Sequence, residues 1–108
     1  MPATNDMDLM RAYARENSEP AFAELVQRHI HLVYSVALRC TRNPEDAQDV
    51  TQAVFIILAQ KAARLHECTV LTGWLYETTR FTAARLGRGQ ARRQAREQEN
   101  RRLIWNRP

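Results

Sequence analysis

The chain has 108 residues and a net charge of +4, which suffices for one domain with a modest core and not for two. With only three glycines and four prolines, it lacks the frequent turn signals that a β-sandwich or barrel requires. No apolar run approaches the roughly 20 residues that span a bilayer, and the N-terminus has no signal-peptide pattern. We therefore expect an all-α, cytoplasmic protein without membrane contact.

Two helices are predicted in the first 41 residues. The first runs from about Asp6 to Glu16, with Asn5 or Asp6 as its N-cap, and the Asn17-Ser18 pair ends it. Ser18 then caps a second helix. The positions predicted to face the core in this second helix recur at three- and four-residue steps, as expected for one buried face. They are Phe22, Leu25, Val26, His29, Val33, Val36, Ala37 and Cys40.

The strongest helix start in the chain lies at Asn43. Asn43 is a favourable N-cap, Pro44 occupies the first helical position, and Glu45 and Asp46 place negative charge in the first turn. We expect this third helix to continue to about Arg64.

A fourth helix is predicted from near Leu71 to at least Arg85. Beyond Gly89, residues 90–102 are compatible with a helix but have almost no apolar face, so we expect a solvated, basic helical extension. The predicted fold is thus a compact bundle of about four helices followed by this extension.

The cysteines and histidines form neither a disulfide nor a metal pattern. Cys40 and Cys68 are too few and too far apart for a disulfide framework, so we expect free thiols, one in the core and one near a loop. His29 and His31 are two residues apart, as are His66 and Cys68, and such pairs do not share a helix face. We expect no metal and no other cofactor, with His29 in the core or at its boundary.

Polar side chains follow one side of the third helix. Asp46, Asp49 and Gln52 recur every three residues, Ala53 follows, and the opposite side is apolar. Such a ridge suits docking on a basic surface of another protein. The alternative is that the two carboxylates only stabilise the helix dipole.

Positive charge is concentrated at the C-terminal end. From Arg80 onward the chain has nine arginines and two glutamates, whereas the residues before it carry seven basic and ten acidic side chains. Arginines beside aromatic groups such as Trp74 suit a surface that holds unstacked bases and binds phosphates. Nucleic acid is therefore the leading partner, although Arg80 or Arg85 could instead pair with Glu77 within the helix.

Several segments together resemble region 2 of the bacterial sigma-70 family of sigma factors, particularly the extracytoplasmic-function (ECF) group. They are residues 22–29 (FAELVQRH), 33–37 (VYSVA) and 45–55 (EDAQDVTQAVF), followed by WLY at 74–76 and an arginine-rich helix. The resemblance implies a region 2 domain over residues 1–96. Residues 97–108 would begin the linker to a second DNA-binding domain, so we expect the chain to be a fragment of a longer protein.

The resemblance also implies a protein partner, core RNA polymerase. In the family, the matching third helix binds the clamp helices of the largest polymerase subunit, and Asp46, Asp49, Gln52 and Ala53 stand at the contact positions. Many members have glutamate in place of Ala53, so we expect a weaker or rearranged interface. An anti-sigma factor is a further possible partner, and the free domain is expected to be a monomer.

For promoter DNA, the resemblance implies that the loop at 66–72 captures a flipped non-template base of the minus-ten element, while the next helix lies along the upstream duplex. An unstacked base needs an apolar wall and a few polar partners. Many members have asparagine where this chain has Phe81, so either Phe81 faces the core or a neighbour reads the base. The candidate DNA contacts are Thr69, Val70, Leu71, Thr72, Trp74, Thr78, Arg80, Phe81, Arg85, Arg88, Arg92 and Arg93.

The sequence therefore predicts a transcription initiation factor domain that melts promoter DNA, and not an enzyme. Glycine-rich phosphate loops, nucleophile elbows and paired-carboxylate motifs are missing from the sequence. The alternative interpretation is a helical protein-interaction module that uses the acidic ridge and recognises no specific DNA.

Overall fold

A computed structural model describes residues 5–65 and 70–87, and every regular element in these two ranges is helical. Helix α1 comprises Asp6–Glu16, α2 comprises Glu19–Thr41, and α3 comprises Pro44–Lys61. A 3₁₀ turn, Ala62–Arg64, continues α3, and helix α4 spans residues 71–87. The predicted all-α bundle of about four helices is confirmed. The extension expected beyond Gly89 lies outside the described residues.

The first three helices begin at side-chain caps and the first two end in left-handed residues. Asn5, Ser18 and Asn43 each accept a hydrogen bond from a backbone N–H in the following turn. Asn17 and Arg42 end α1 and α2 with φ angles of 53° and 56°. These local signals stop each helix and reverse the chain within two residues.

Two contacts fix α1 along the N-terminal half of α2. The rings of Tyr13 and Phe22 lie 4.7 Å apart between centroids, near the end of α1. At its start, the Asp6 carboxylate contacts His29 and Arg28. The two helices therefore run antiparallel, and α1 does not extend past the middle of α2.

The core lies between α2, α3 and α4, with α1 covering one side. Burying each large aliphatic side chain contributes about 1.5–3 kcal/mol. Two buried threonines, Thr51 and Thr79, donate their hydroxyl hydrogens to carbonyl oxygens four residues earlier, at 2.7 and 2.6 Å. The largest fully buried side chains are Leu25, Val33, Val50, Val54, Leu58, Leu75 and Thr79.

The expectation that one cysteine lies in the core is wrong for Cys40, whose side chain is exposed. Cys40 has the helical phase of a core position, but it lies in the last turn of α2. Because α1 begins beside His29, it leaves this turn uncovered. Cys68 lies outside the described residues.

Among the described helices, none combines the length and apolar character needed to cross a membrane.

Candidate functional site

The outer face of α3 carries the predicted polar ridge. Asp49 and Gln52 are exposed, whereas Asp46 and Ala53 are half-buried at the edge of that face. The opposite side of α3 supplies Val50, Val54 and Leu58 to the core. The structure therefore places Asp49 and Gln52 on the solvent side of α3, and Asp46 and Ala53 on its flank towards α4.

Two more exposed residues share this face and were not predicted. Glu45 precedes Asp49 by one turn, and Ile56 follows Gln52 by one turn. Ile56 is 58% exposed, the highest value for any large apolar side chain of α3. Residues 45, 49, 52 and 56 have the spacing of one helical stripe, which the sequence alone could have shown. Ile56 was missed because isoleucine is typical of core positions, and only the burial pattern of α3 shows that it is exposed.

Helix α4 packs so that its C-terminal part adjoins the start of α3. A small cleft is lined by Asp46 and Asp49 together with Leu86 and Gly87 of α4. A second cavity brings Ala53 and Ile57 of α3 beside α4, where Thr82, Arg85 and Leu86 line it. The polar ridge and the arginine-bearing helix are thus neighbouring surfaces.

The inner side of α4 is set by four residues at four-residue spacing. Leu71, Leu75, Thr79 and Ala83 are all buried. Leu71 was a candidate DNA contact, yet at 3% exposure its side chain is part of the core. Of the adjacent candidates Val70 and Leu71, only Val70, which is 71% exposed, faces solvent.

One flank of α4 carries four of the candidate DNA contacts. We call Trp74, Thr78, Phe81 and Arg85 the α4 stripe, because their spacing of four, three and four residues places them one above another. Phe81 and Arg85 are exposed, and Trp74 and Thr78 are half-buried against the bundle. Phe81 therefore does not face the core, which settles one of the two alternatives raised by the sequence.

Arg80 lies on a different flank of α4, because each helical residue turns by about 100°. Its guanidinium carbon lies 5.7 Å from the ring centroid of Tyr76, and its Nη1 lies 3.9 Å from Oε1 of Glu77. The intrahelical pairing considered for Arg80 is thus present. All three side chains are exposed, so this ion pair contributes little to stability.

The remaining candidate contacts divide between exposed and undescribed positions. Thr72 is exposed in the first turn of α4. Thr69, Arg88, Arg92 and Arg93 lie outside the described residues.

The histidine predicted at the core boundary is buried and has an acidic partner. His29 is 8% exposed, and its Nε2 lies 2.9 Å from Oδ2 of Asp6. No group of three or more potential metal ligands occurs within residues 5–65 and 70–87. His29 is therefore explained as part of the α1–α2 contact.

Comparison with known proteins identifies the family to which this chain belongs. The family model "Sigma-70 region 2" matches residues 25–96, which include α3, α4 and most of α2. The chain therefore belongs to the sigma-70 region 2 family, and the resemblance seen in the sequence is confirmed.

A sigma factor is also among the proteins similar to this chain. The chain is similar to the ECF RNA polymerase sigma factor SigE of Mycolicibacterium smegmatis, with 37% identity over 60 residues. The matched part makes up 56% of this chain and 23% of that relative, so the chain spans well under half of the relative's length. No solved structure matches the chain significantly.

Proposed function

We propose that this domain is a transcription initiation factor module that joins core RNA polymerase and helps to open promoter DNA. Its family membership supports the general role. The observation that carries the proposal is the division of its surface into an acidic outer face on α3 and an aromatic, arginine-bearing stripe on α4. These faces suit a protein partner and a nucleic-acid partner, respectively.

The polar ridge of α3 is the proposed polymerase contact. Asp49 and Gln52 are exposed on a helix that is capped by Asn43 and held by a buried inner side. A rigid helix can present these groups without first paying an ordering cost, which favours binding to a matching helical surface. The proposed partner surface is the basic clamp-helix segment of the polymerase largest subunit.

The α4 stripe and Val70 are the proposed promoter contacts. An arginine neutralises phosphate and an exposed aromatic or apolar group offers a surface to an unstacked base. Trapping a flipped base offsets an unstacking cost of about a few kcal/mol. Opening the promoter in this way needs no covalent chemistry, so the proposed role is that of a binding protein and not an enzyme.

The test is binding of the 108-residue chain to an isolated clamp-helix segment of the polymerase. We expect Asp49→Arg to weaken binding at least tenfold by placing positive charge against a basic surface, and Gln52→Ala to weaken it by a smaller factor. Asp8→Arg is the matched control, because Asp8 is an exposed carboxylate on α1. A folded wild-type domain that does not bind, or equal binding by all three variants, would contradict the polymerase contact.

A second measurement distinguishes this function from a helical protein-interaction module. The proposed function requires binding to single-stranded DNA that weakens steeply with salt, since phosphate contacts release counterions. An interaction module would bind its protein partner and show no such DNA binding.

A further inference from the structure

The side chain of Phe81 is exposed and takes no part in the packing of α4 against the core. Helix α4 meets the core through Leu71, Leu75, Thr79 and Ala83, and Phe81 lies outside that side at 69% exposure. A single exposed apolar residue needs no explanation by itself. The neighbours of Phe81 on the helix provide the second observation.

Phe81 lies at the middle of the α4 stripe, with Thr78 one turn before it and Arg85 one turn after it. Side chains three and four residues apart on a helix have Cβ atoms about 5–6 Å apart. This is close to the spacing between a base and the phosphate of its own nucleotide, so an aromatic face and a guanidinium group can engage one nucleotide together. Trp74 extends the aromatic surface two turns earlier on the same flank.

The charge around Phe81 favours a polyanion over an apolar protein segment. Within the described part of α4, two arginines, Arg80 and Arg85, and one glutamate, Glu77, lie within four residues of Phe81. The acidic residue nearest in α4, Glu77, lies beside Arg80 at 3.9 Å, so its charge is offset locally. A partner that approaches Phe81 therefore meets an aromatic ring beside the guanidinium groups of Arg80 and Arg85.

We propose that Phe81 is a stacking platform for one unstacked base of the opened promoter strand, while Arg85 contacts the adjoining phosphate. This inference rests on the proposed function and deepens it. A phenyl ring has no hydrogen-bonding group and so cannot read a base edge, but every base presents a π-face to it. At this position the domain therefore holds the strand with little preference for which base it is.

The experiment measures binding of the 108-residue chain to a labelled 12-nucleotide single-stranded DNA of mixed sequence by fluorescence anisotropy. Phe81→Leu removes the aromatic face, and we expect affinity to fall about 5- to 100-fold, the range for loss of one base–aromatic stack. Phe81→Trp keeps a stacking face, and we expect affinity within about threefold of wild type. Because Phe81 is exposed, both variants should fold, which circular dichroism verifies.

A second readout reports stacking directly. The oligonucleotide is made with 2-aminopurine at each position in turn, and wild-type protein should quench its fluorescence at one position by stacking. Phe81→Leu should remove that quenching and leave the salt dependence of binding unchanged, because no phosphate contact is lost. Leu32→Ala, which alters a partly exposed apolar residue of α2, is the control and should behave as wild type.

The outcomes separate this inference from the proposed function. If Phe81→Leu binds DNA as tightly as wild type while Arg85→Ala binds more weakly, the stacking platform is wrong and the DNA-binding function stands. If Phe81→Leu lowers affinity for the clamp-helix segment and not for DNA, Phe81 is a protein contact and the inference is also overturned. If the wild-type domain binds no DNA, the proposed promoter contact itself fails.

Discussion

Asp6 Oδ2 and His29 Nε2 lie 2.9 Å apart, so the first residue of α1 is joined to a buried side chain in the middle of α2. Arg28 reaches the other oxygen of the same carboxylate at 3.3 Å and also contacts Glu24 at 3.2 Å. This small network holds the start of α1 on the bundle, while the Tyr13–Phe22 ring contact holds its end.

Removing the Asp6 carboxylate should destabilise the domain more than removing its neighbour. Asp6→Ala leaves the ring nitrogen of buried His29 without its partner, for which we expect a loss of about 1–3 kcal/mol in the free energy of unfolding. Asp8→Ala is the matched control, since it removes a first-turn charge and only an exposed pair with Arg11 at 3.4 Å. Urea unfolding measures both, and equal losses would contradict the role of the Asp6–His29 contact.

The cap of α3 should be replaceable by glycine but not by alanine. The Asn43 side chain accepts hydrogen bonds from the N–H groups of Glu45 and Asp46 at 2.9 and 3.2 Å. We expect Asn43→Ala to lower the free energy of unfolding by about 1 kcal/mol and Asn43→Gly by only a few tenths. Thermal unfolding of both variants checks this, and an alanine variant as stable as the glycine one would contradict it.

Two aliphatic residues within one turn of α3 should differ strongly in their effect on stability. Leu58 is fully buried and Ile56 is 58% exposed. We expect Leu58→Ala to cost about 2–5 kcal/mol, because it leaves a cavity in the core, and Ile56→Ala to cost under about 1 kcal/mol. Chemical denaturation of the two variants measures the difference in their free energies of unfolding. Similar costs would show that the side of α3 assigned to the core is wrong.

Ile56 should instead matter for binding. It shares the outer face of α3 with Asp49 and Gln52, and Ile56→Ala would remove apolar contact area from the proposed polymerase interface. We expect a roughly five- to thirtyfold loss of affinity for the clamp-helix segment, corresponding to about 1–2 kcal/mol. Leu32→Ala on α2 is the control. An unchanged affinity in the Ile56 variant would limit the interface to the polar ridge.

Arg85 and Arg80 should contribute unequally to DNA binding. Arg85 belongs to the α4 stripe, whereas Arg80 lies over Tyr76 and beside Glu77 on another flank. We expect Arg85→Ala to reduce the slope of log affinity against log salt by about 0.7 for single-stranded DNA, and Arg80→Ala to change it less. Salt titrations of the two variants measure this. A larger change for Arg80→Ala would show that the flank of α4 carrying Arg80, and not the α4 stripe, binds DNA.

Local chemistry made the helix boundaries predictable. The caps at Ser18 and Asn43 and the break at Asn17 act within one turn, so the sequence alone places them. The predicted first helix, Asp6 to Glu16, has the bounds that the structure shows. The roles of the individual site residues in polymerase and DNA binding stay predictions.

Burial was less predictable, because helical periodicity shows which residues share a face and not which part of that face is covered. Cys40 has the phase of a core residue but lies beyond the reach of α1. Leu71 follows an exposed valine in what reads as a loop, yet it begins the buried side of α4.

The sequence by itself determined the all-α class, the helix starts, the separation of charge and the family, since each of these depends on residue type and local spacing. Only the tertiary structure decided that Phe81 faces solvent and that the face of α3 carrying Ile56, Asp49 and Gln52 is open. The reason is that the exposure of a helix flank depends on the packing of the other helices around it, and that packing joins residues far apart in the chain.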